Sequence, residues 1–291
     1  MKMSREDKVI AVANYTFLTL FCLTCLLPFI YVLMVSFTSE NSYGKYGARL
    51  IPKEFSLDAY KMIFSRGKVI IDAYLVTIFI TVAGTVLALI VCALFAYPLS
   101  RKNLPGKKIF LGYILFSMLI SGGIIPTYIT VSNWLGLQDS FFALILPGIF
   151  SAWNMLLFRN FFADIPKAIE ESAEIDGAND VRIFISIVLP LSKAIFATLG
   201  LFWAVGYWNA WFPALLYIET PSKYPIMLLL QNMLNASVSS GGSLGGGQNT
   251  VYVTEMLKMA TVVVVVLPIL CVYPFLQKYF AKGVMVGSVK G

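Results

Sequence analysis

No histidine occurs among the 291 residues, and cysteine occurs only four times. The first absence removes the side chain most often used as a metal ligand and general base. Cys22, Cys25, Cys92 and Cys271 all lie inside apolar runs. Cys22 and Cys25 form a CxxC pair, but a thiolate is penalised in hydrocarbon and no second ligand pair accompanies them. They read as small apolar residues, and no metal site is expected. Charge is scarce as well. Charged residues make up 13% of the chain and hydrophobic ones 58%, against about 25% charged in a typical soluble domain. An integral membrane protein fits that balance. The formal net charge of +7 does not point to nucleic acid, because Lys and Arg are scattered through the gaps between apolar runs and form no basic stripe. No phosphate-binding GxxxxGK[ST] is present. No catalytic residue and no covalent step are predicted.

Roughly 20 consecutive apolar residues cross a bilayer as a helix. Six runs qualify, at 10–36, 73–97, 109–131, 141–159, 194–218 and 259–277. They predict an all-α membrane protein with one transmembrane domain over 1–291. The first run is too long for a signal-peptide core and no A-x-A pattern follows it, so it reads as a retained span. With the N-terminus in the cytoplasm, the inside segments hold 14 of the 22 Lys and Arg residues, the expected positive-inside bias. The SRKNLPGKK turn at 100–108 marks the inside most clearly, while the six basic residues of 38–68 weaken the bias. Both termini and residues 160–190 are therefore expected inside, with 37–72, 132–140 and 219–258 outside. Within the last of these, SSGGSLGGGQNT at 239–250 has the glycine density of a flexible loop. It reads either as a connector or as a loop that reaches into an outside partner.

No span interior contains Asp, Glu, Lys, Arg or His; Asp72, Asp139, Lys193 and Lys278 fall at edges. Proton-coupled carriers usually need an ionisable relay in the membrane, and charge-selective pores often use charged rings. Sodium sites built from carbonyls escape that argument. If the chain transports, its energy is expected to enter from elsewhere. The polar equipment of the spans is neutral: Trp153 and Asn154 in the fourth run, and Trp203, Tyr207, Trp208, Asn209 and Trp211 in the fifth. Helical spacing sets Trp203, Tyr207 and Trp211 on one stripe. Aromatic faces with amide groups suit uncharged polyhydroxylated ligands such as sugars. An interfacial aromatic belt with helix packing explains the same residues.

One stretch has a different character. Residues 163–180, ADIPKAIEESAEIDGAND, carry six acids and one base between 164 and 180. Asp164 is a candidate N-cap, with Pro166 in the first turn. Ile165, Ala168, Ile169, Ser172 and Ala173 are predicted to share a weakly apolar helix face, and Lys167, Glu170, Glu171 and Glu174 the other. Glu171 and Glu174 are like charges at i, i+3. Gly177 is placed to end this helix in a left-handed turn. Asn179 or Asp180 can cap a second helix running to Pro190. Anionic inner-leaflet lipid would repel such a surface. A helix–turn–helix bracket facing water, or docking on a cationic partner, is expected.

Glu171-Ser172-Ala173, three residues, Gly177, nine residues, then Ile187-Val188-Leu189-Pro190 resembles the signature EAA-x3-G-x9-I-x-LP. That signature belongs to the membrane subunits of ATP-binding-cassette importers. Every spacing fits, and Ser172 in place of the second-position alanine is the one departure. FSLDAYKMIF (55–64), PTYITVSNWLGLQDSFFALILP (126–147) and KGVMVGSVKG (282–291) are similar to the carbohydrate-uptake branch, particularly its maltose-type smaller permease. The resemblance implies a type I importer fold of six spans in a bacterial cytoplasmic membrane. It also implies that the bracket is a coupling helix seated in a nucleotide-binding subunit. Carried over, Glu171 is the anchoring acid, Ser172 and Ala173 small contact positions, Gly177 the turn, and Leu189 and Pro190 the exit. Gly287, Lys290 and Gly291 of the tail become candidate ATPase contacts. Gly241, Gly242, Gly245, Gly246 and Gly247 become the loop that enters a solute-binding protein. Trp153, Asn154, Trp203, Tyr207, Trp208 and Asn209 remain the candidate substrate path.

The implied partners are a second six-span permease in a homologous heterodimer, two copies of an ATPase, an extracytoplasmic binding protein, membrane lipid and an oligosaccharide. ATP and magnesium would sit on the ATPase, with no cofactor on this chain. The polar, glycine-rich outside loops hint at larger or uronate-type glycans. Amino-acid, peptide or metal uptake remains open within the family. A gradient-driven carrier or channel is the main rival, and a non-transporting scaffold the second.

Overall fold

The computed structural model describes residues 5–65, 67–101, 103–236, 243–244, 251–252 and 255–288. The chain divides into two compact units, 1–70 with 230–268 and 71–229 with 269–291. Helices dominate; the described strands, β1 (Ser243–Leu244) and β2 (Val251–Tyr252), are two residues each and pair antiparallel.

In the first unit α1 (Arg5–Ser36) runs 32 residues, about 48 Å at 1.5 Å per residue. It is apolar all round, as a membrane helix is, and its side chains from Val12 to Ile30 are exposed. Thr19 and Thr24 return their hydroxyls to the carbonyls of Tyr15 and Leu20. Cys22 and Cys25 are exposed free thiols on this helix. Beyond it lie α2 (Glu40–Tyr46) and α3 (Asp58–Ser65). Ser39 caps α2 by accepting from the Ser42 N–H at 3.1 Å. Phe37 stacks between Phe55 and Tyr60 at 5.0 and 5.1 Å, and the Tyr60 hydroxyl meets Ser36 Oγ at 2.7 Å. The basic residues of this segment are partly accounted for by Tyr46, whose ring lies under Lys53 at 4.0 Å and Arg49 at 5.4 Å.

Helix α4 (Gly67–Ser100) leads into the second unit. After it come α5 (Lys107–Leu119), α6 (Ile124–Trp134), α7 (Phe141–Gly148), α8 (Ala152–Ala163), α9 (Lys167–Ile175), α10 (Asp180–Leu191), α11 (Lys193–Trp208) and α12 (Trp211–Tyr217). The chain continues through α13 (Ile226–Ala236) and α14 (Glu255–Ser288).

The apolar runs differ from continuous spans in a consistent way. Among the described residues α1 and α4 are single helices long and apolar enough to cross a membrane. Three further candidates are bent pairs. The run at 109–131 breaks between α5 and α6 at 112°, where Gly122 and Gly123 interrupt the helix and Gly123 takes a φ of 82°. The run at 141–159 bends by 50° between α7 and α8, after Pro147 has closed α7 in a 3-10 turn. The run at 194–218 ends its helix at Trp208 and restarts at Trp211. The 259–277 run lies within the single helix α14.

The second unit has its own apolar core. Ile80, Ala88, Cys92 and Ala96 of α4 pack with Met155, Phe158 and Phe162 of α8 and Leu199, Trp203 and Tyr207 of α11. Toward the end of α4, Tyr97 meets Phe184 at 4.8 Å, while Phe158 meets Phe196 at 4.8 Å. Cys92 is buried, its thiol directed at the Ile149 carbonyl, in agreement with a packing role.

Candidate functional site

The acidic stretch folds as a bracket. Asp164 is not an N-cap: it ends α8, its backbone N–H donating to Asn160 and Phe161 at 3.2 Å. Pro166 occupies the cap position of α9 with ψ of 123° and no side-chain cap bond. A proline N-cap has no side-chain acceptor, so α9 starts without a side-chain cap at that position. At the other end Gly177 takes φ of 80°. The Ala178 N–H reaches the Ala173 carbonyl at 2.9 Å and the Gly177 N–H reaches Glu174 at 3.0 Å. This is the paired 6→1 and 5→2 closure of a Schellman turn, which glycine adopts without a Cβ penalty. Asn179 then caps α10, its Oδ1 accepting from the Arg182 N–H at 2.9 Å.

Pro190 lies inside α10 and brings no N–H. The turn before it, Phe184–Val188, widens to a π turn, with the Leu189 N–H donating to the Phe184 carbonyl. At Ser192 the chain bends by 79° into α11. The bracket is thus stiff at three defined points: the Gly177 turn, the Asn179 cap and the Pro190 bend.

The faces of α9 differ from the expected ones. Glu170 is not on the polar face with Glu171 and Glu174; it is buried, at 6% exposure, and ion-paired to Arg101. Ile165 and Ala173 pack against the core on the same side. Ala168, Ile169 and Ser172 are exposed, with Ser172 Oγ returned to the Ile169 carbonyl at 3.1 Å. The outward face therefore carries Ala168, Glu171, Ser172 and Ile175, at i, i+3, i+4 and i+7. Ile175 is 87% exposed. Of the other residues predicted here, Gly177 and Pro190 are exposed and Leu189 is half-buried against the core.

Of the candidate substrate-path residues, the structure brings two together. Trp203 Nε1 donates to the Gly148 carbonyl at 3.1 Å, and the Tyr207 hydroxyl to the Ile145 carbonyl at 2.9 Å. Both carbonyls lie beside the break between α7 and α8, where unpaired backbone groups would be costly in an apolar medium. The two rings also line a cavity of about 430 Å³ with Thr127, Phe202 and Tyr217. Trp153, Asn154, Trp208 and Asn209 do not line it. Trp153 is exposed and Asn154 buried, while Asn209 Nδ2 is turned back onto the Val205 carbonyl at 2.9 Å.

Asp139 organises a second polar cluster. It has φ of 55°, uncommon for a residue other than glycine though tolerated by Asp. Its carboxylate accepts from Lys223 Nζ at 2.7 Å, Thr220 Oγ1 at 2.6 Å and the N–H groups of Glu219 and Thr220 at 3.0 Å. Lys223 first, then Thr220, hold its carboxyl well below the usual carboxylate range. Asp139→Asn is expected to loosen the 218–224 turn, seen as faster hydrogen exchange at Glu219 and Thr220. Because the folded pKa is depressed, the clasp's contribution is present above the unfolded value of about 3.9. It is lost only as pH falls through the lower folded value, so the protection of these amides in the parent chain, measured relative to their intrinsic exchange rates, should not change between neutral pH and about 4.5.

The chain is 46% identical over 287 residues to the polygalacturonan/rhamnogalacturonan transport system permease protein YtcP of Bacillus subtilis (strain 168), covering 98% of this chain and 100% of that one. It is 42% identical over 291 residues to protein LplC of the same organism, covering 100% and 98%. A chain from the crystal structure of a bacterial ABC transporter involved in the import of the acidic polysaccharide alginate matches with a TM-score of 0.84 at 30% identity, over 96% of this chain and 99% of that one. No family model matches.

The chain belongs to the permease subunits of ATP-binding-cassette sugar importers. This permease is a transporter subunit and not an enzyme. It takes up carbohydrate, with energy supplied as ATP. Membership implies an ATPase, a second permease and a binding protein as partners, and a place in the inner membrane. The glycines Gly241, Gly242, Gly245, Gly246 and Gly247 lie outside the described residues, as do Lys290 and Gly291 of the tail. Gly287 lies near the end of α14. Sequence reasoning missed the Arg101–Glu170 pair and the Asp139 clasp. An acid beside an apolar helix position was a signal for the first; for the second, only the position of Asp139 at a span edge offered one.

Proposed function

We propose that this permease is the smaller membrane subunit of an importer for uronate-bearing oligosaccharides, working as one six-span domain with both termini in the cytoplasm. The bracket of α9 and α10 is its coupling element. Glu171 meets a cation in a groove of the ATPase, Ser172 and Ala173 allow close approach, and Gly177 and Pro190 keep the bracket stiff, as a two-state transmission requires. ATP and magnesium are held by two ATPase copies, and this chain holds no cofactor. A homologous second permease completes the membrane pathway.

The tail residues Gly287, Lys290 and Gly291 lean on the ATPase pair. The 241–247 glycines reach into the binding protein, which delivers the glycan. The substrate class rests on two relatives, one named for polygalacturonan/rhamnogalacturonan transport and one from a transporter involved in the import of the acidic polysaccharide alginate. Trp203, Tyr207 and their cavity offer a neutral aromatic surface for the C–H face of a sugar ring.

The observation that carries the mechanism is an exposed Glu171 on a helix closed by the Gly177 turn and followed by the apolar helix pair α10 and α11, which bends by 79° at its middle. Its test is uptake into vesicles holding the full complex. With ATP inside and ion gradients collapsed by ionophores, galacturonate oligosaccharides should still accumulate, and withdrawing ATP should stop them. Uptake that follows the gradient and ignores ATP would belong to a secondary carrier.

A further inference from the structure

Helix α4 ends at Ser100, and its last carbonyls are held by cations from two other elements. Lys107 Nζ, at the start of α5, donates to the Arg101 carbonyl at 2.6 Å, and Arg159 Nε of α8 lies 3.4 Å from the Leu99 carbonyl. Cations suit a helix C-terminus. Arg101 itself turns toward the bracket. Its guanidinium lies over the Tyr97 ring, 4.2 Å from the centroid, and Nη1 meets Glu170 Oε2. The Glu170 side chain is 8% exposed and that of Arg101 31%. Arg101 Nη2 and Glu170 Oε1 are both buried with no further hydrogen-bond partner among the described residues. Each charge is therefore compensated mainly by the other. Removing one partner of such a pair leaves a buried lone charge, which is the costly event, while the intact pair adds little net stability. Its value lies in fixing geometry.

We propose that Arg101 and Glu170 are positioning residues that fasten the bracket directly to the end of α4. An inward or outward stroke arriving at α9 then moves α4 at once, besides passing along the chain through α10 into α11. The pair also sets the rotation of α9: with Glu170 held inward, the 100° step per residue turns Glu171 outward. This inference rests on α9 being the coupling element.

The test uses the assembled transporter in vesicles, with Arg101→Glu, Glu170→Arg and the double exchange, and reads ATP hydrolysed per glycan imported. A merely structural role would lower the amount of complex but leave that ratio unchanged. Each single reversal should raise the ratio about tenfold, and the double exchange should bring it back to within about twofold of the parent, because the charges couple as one unit. An unchanged ratio in the single variants overturns the proposal. Should the single variants fail to accumulate, the double exchange decides: recovery of both complex and ratio supports the attachment, and no recovery overturns it. Glu171→Lys run alongside separates the two readings. If it uncouples while the Arg101 and Glu170 variants do not, the coupling helix stands and the attachment falls; if it too couples normally, the coupling reading itself has failed.

Discussion

Glu171→Lys is expected to leave the permease folded in the membrane while lowering glycan-stimulated ATP hydrolysis and uptake by about 100-fold. The fold should tolerate it because Glu171 is exposed and forms no ion pair among the described residues. Surface changes of that kind usually stay within about 0.5 kcal/mol. The reversal would even add attraction to Glu174 one turn on, easing a like-charge i, i+3 pair. The loss arises at the partner. A charge-assisted pair seated in the ATPase groove disappears and a cation is set against a cation, and breaking a hydrogen-bonded charge pair buried in an interface costs about 2–5 kcal/mol. Glu171→Gln should lose less, since the amide can still accept a hydrogen bond but adds no repulsion. Co-purification of the ATPase and the ATPase rate with binding protein and glycan present are the readouts. Normal values for both would strip Glu171 of its role.

The second large effect is expected from Gly84→Val, and it falls on folding. A Cβ at Gly84 of α4 would lie 2.6 Å from two carbons of the Tyr207 ring in α11. A mobile ring could move aside, but this one is fixed on two sides. Its hydroxyl donates to the Ile145 carbonyl, and a Cβ on Gly148 would already stand 3.0 Å from that oxygen. The ring is thus clasped between two glycines from different elements, the close approach that small residues permit in membrane helices. Overpacking a filled core costs about 1–3 kcal/mol per insertion, and a branched side chain with no escape route belongs at the upper end. Gly84→Val should sharply reduce accumulation of the permease and lower its thermal midpoint in detergent. Tyr207→Phe should cost only about 1 kcal/mol, the value of one hydrogen bond. Gly84→Ala combined with Tyr207→Leu should recover part of what Gly84→Ala loses. A Gly84→Val permease with an unchanged midpoint would mean that α4 and α11 do not approach as described.

Local chemistry is legible in the residues themselves. Gly177 and Asn179 act on backbone groups within five residues, so the turn and the second cap follow from their immediate neighbours. The EAA-type spacing likewise sits in one short stretch. What the sequence hides depends on partners distant along the chain. Glu170 looks like any acid on a polar face until Arg101, 69 positions earlier, draws it inward; the face assignment of α9 then rotates with it. Asp139 gains its role only when the 218–224 turn arrives. The bends at Gly122-Gly123 and after Pro147 are written in glycine and proline, yet an apolar run averaged over 20 residues hides a break of three or four. Helical spacing places Trp203 and Tyr207 on one stripe, but their donation to the carbonyls of Gly148 and Ile145 follows from that same hidden break.

The central claim is that the outward face of α9 rests on the ATPase, and cross-linking tests it most directly. In a permease whose native cysteines are replaced, an Ala168→Cys substitution, on the same exposed face as Glu171, with a short thiol-to-amine reagent should join the permease to the ATPase subunit in transporting vesicles. The yield should shift between nucleotide-free and ATP-bound states. A complex that imports glycan at the normal rate yet yields no such adduct, or whose substituted thiol is labelled by an impermeant reagent from the binding-protein side, would contradict the account.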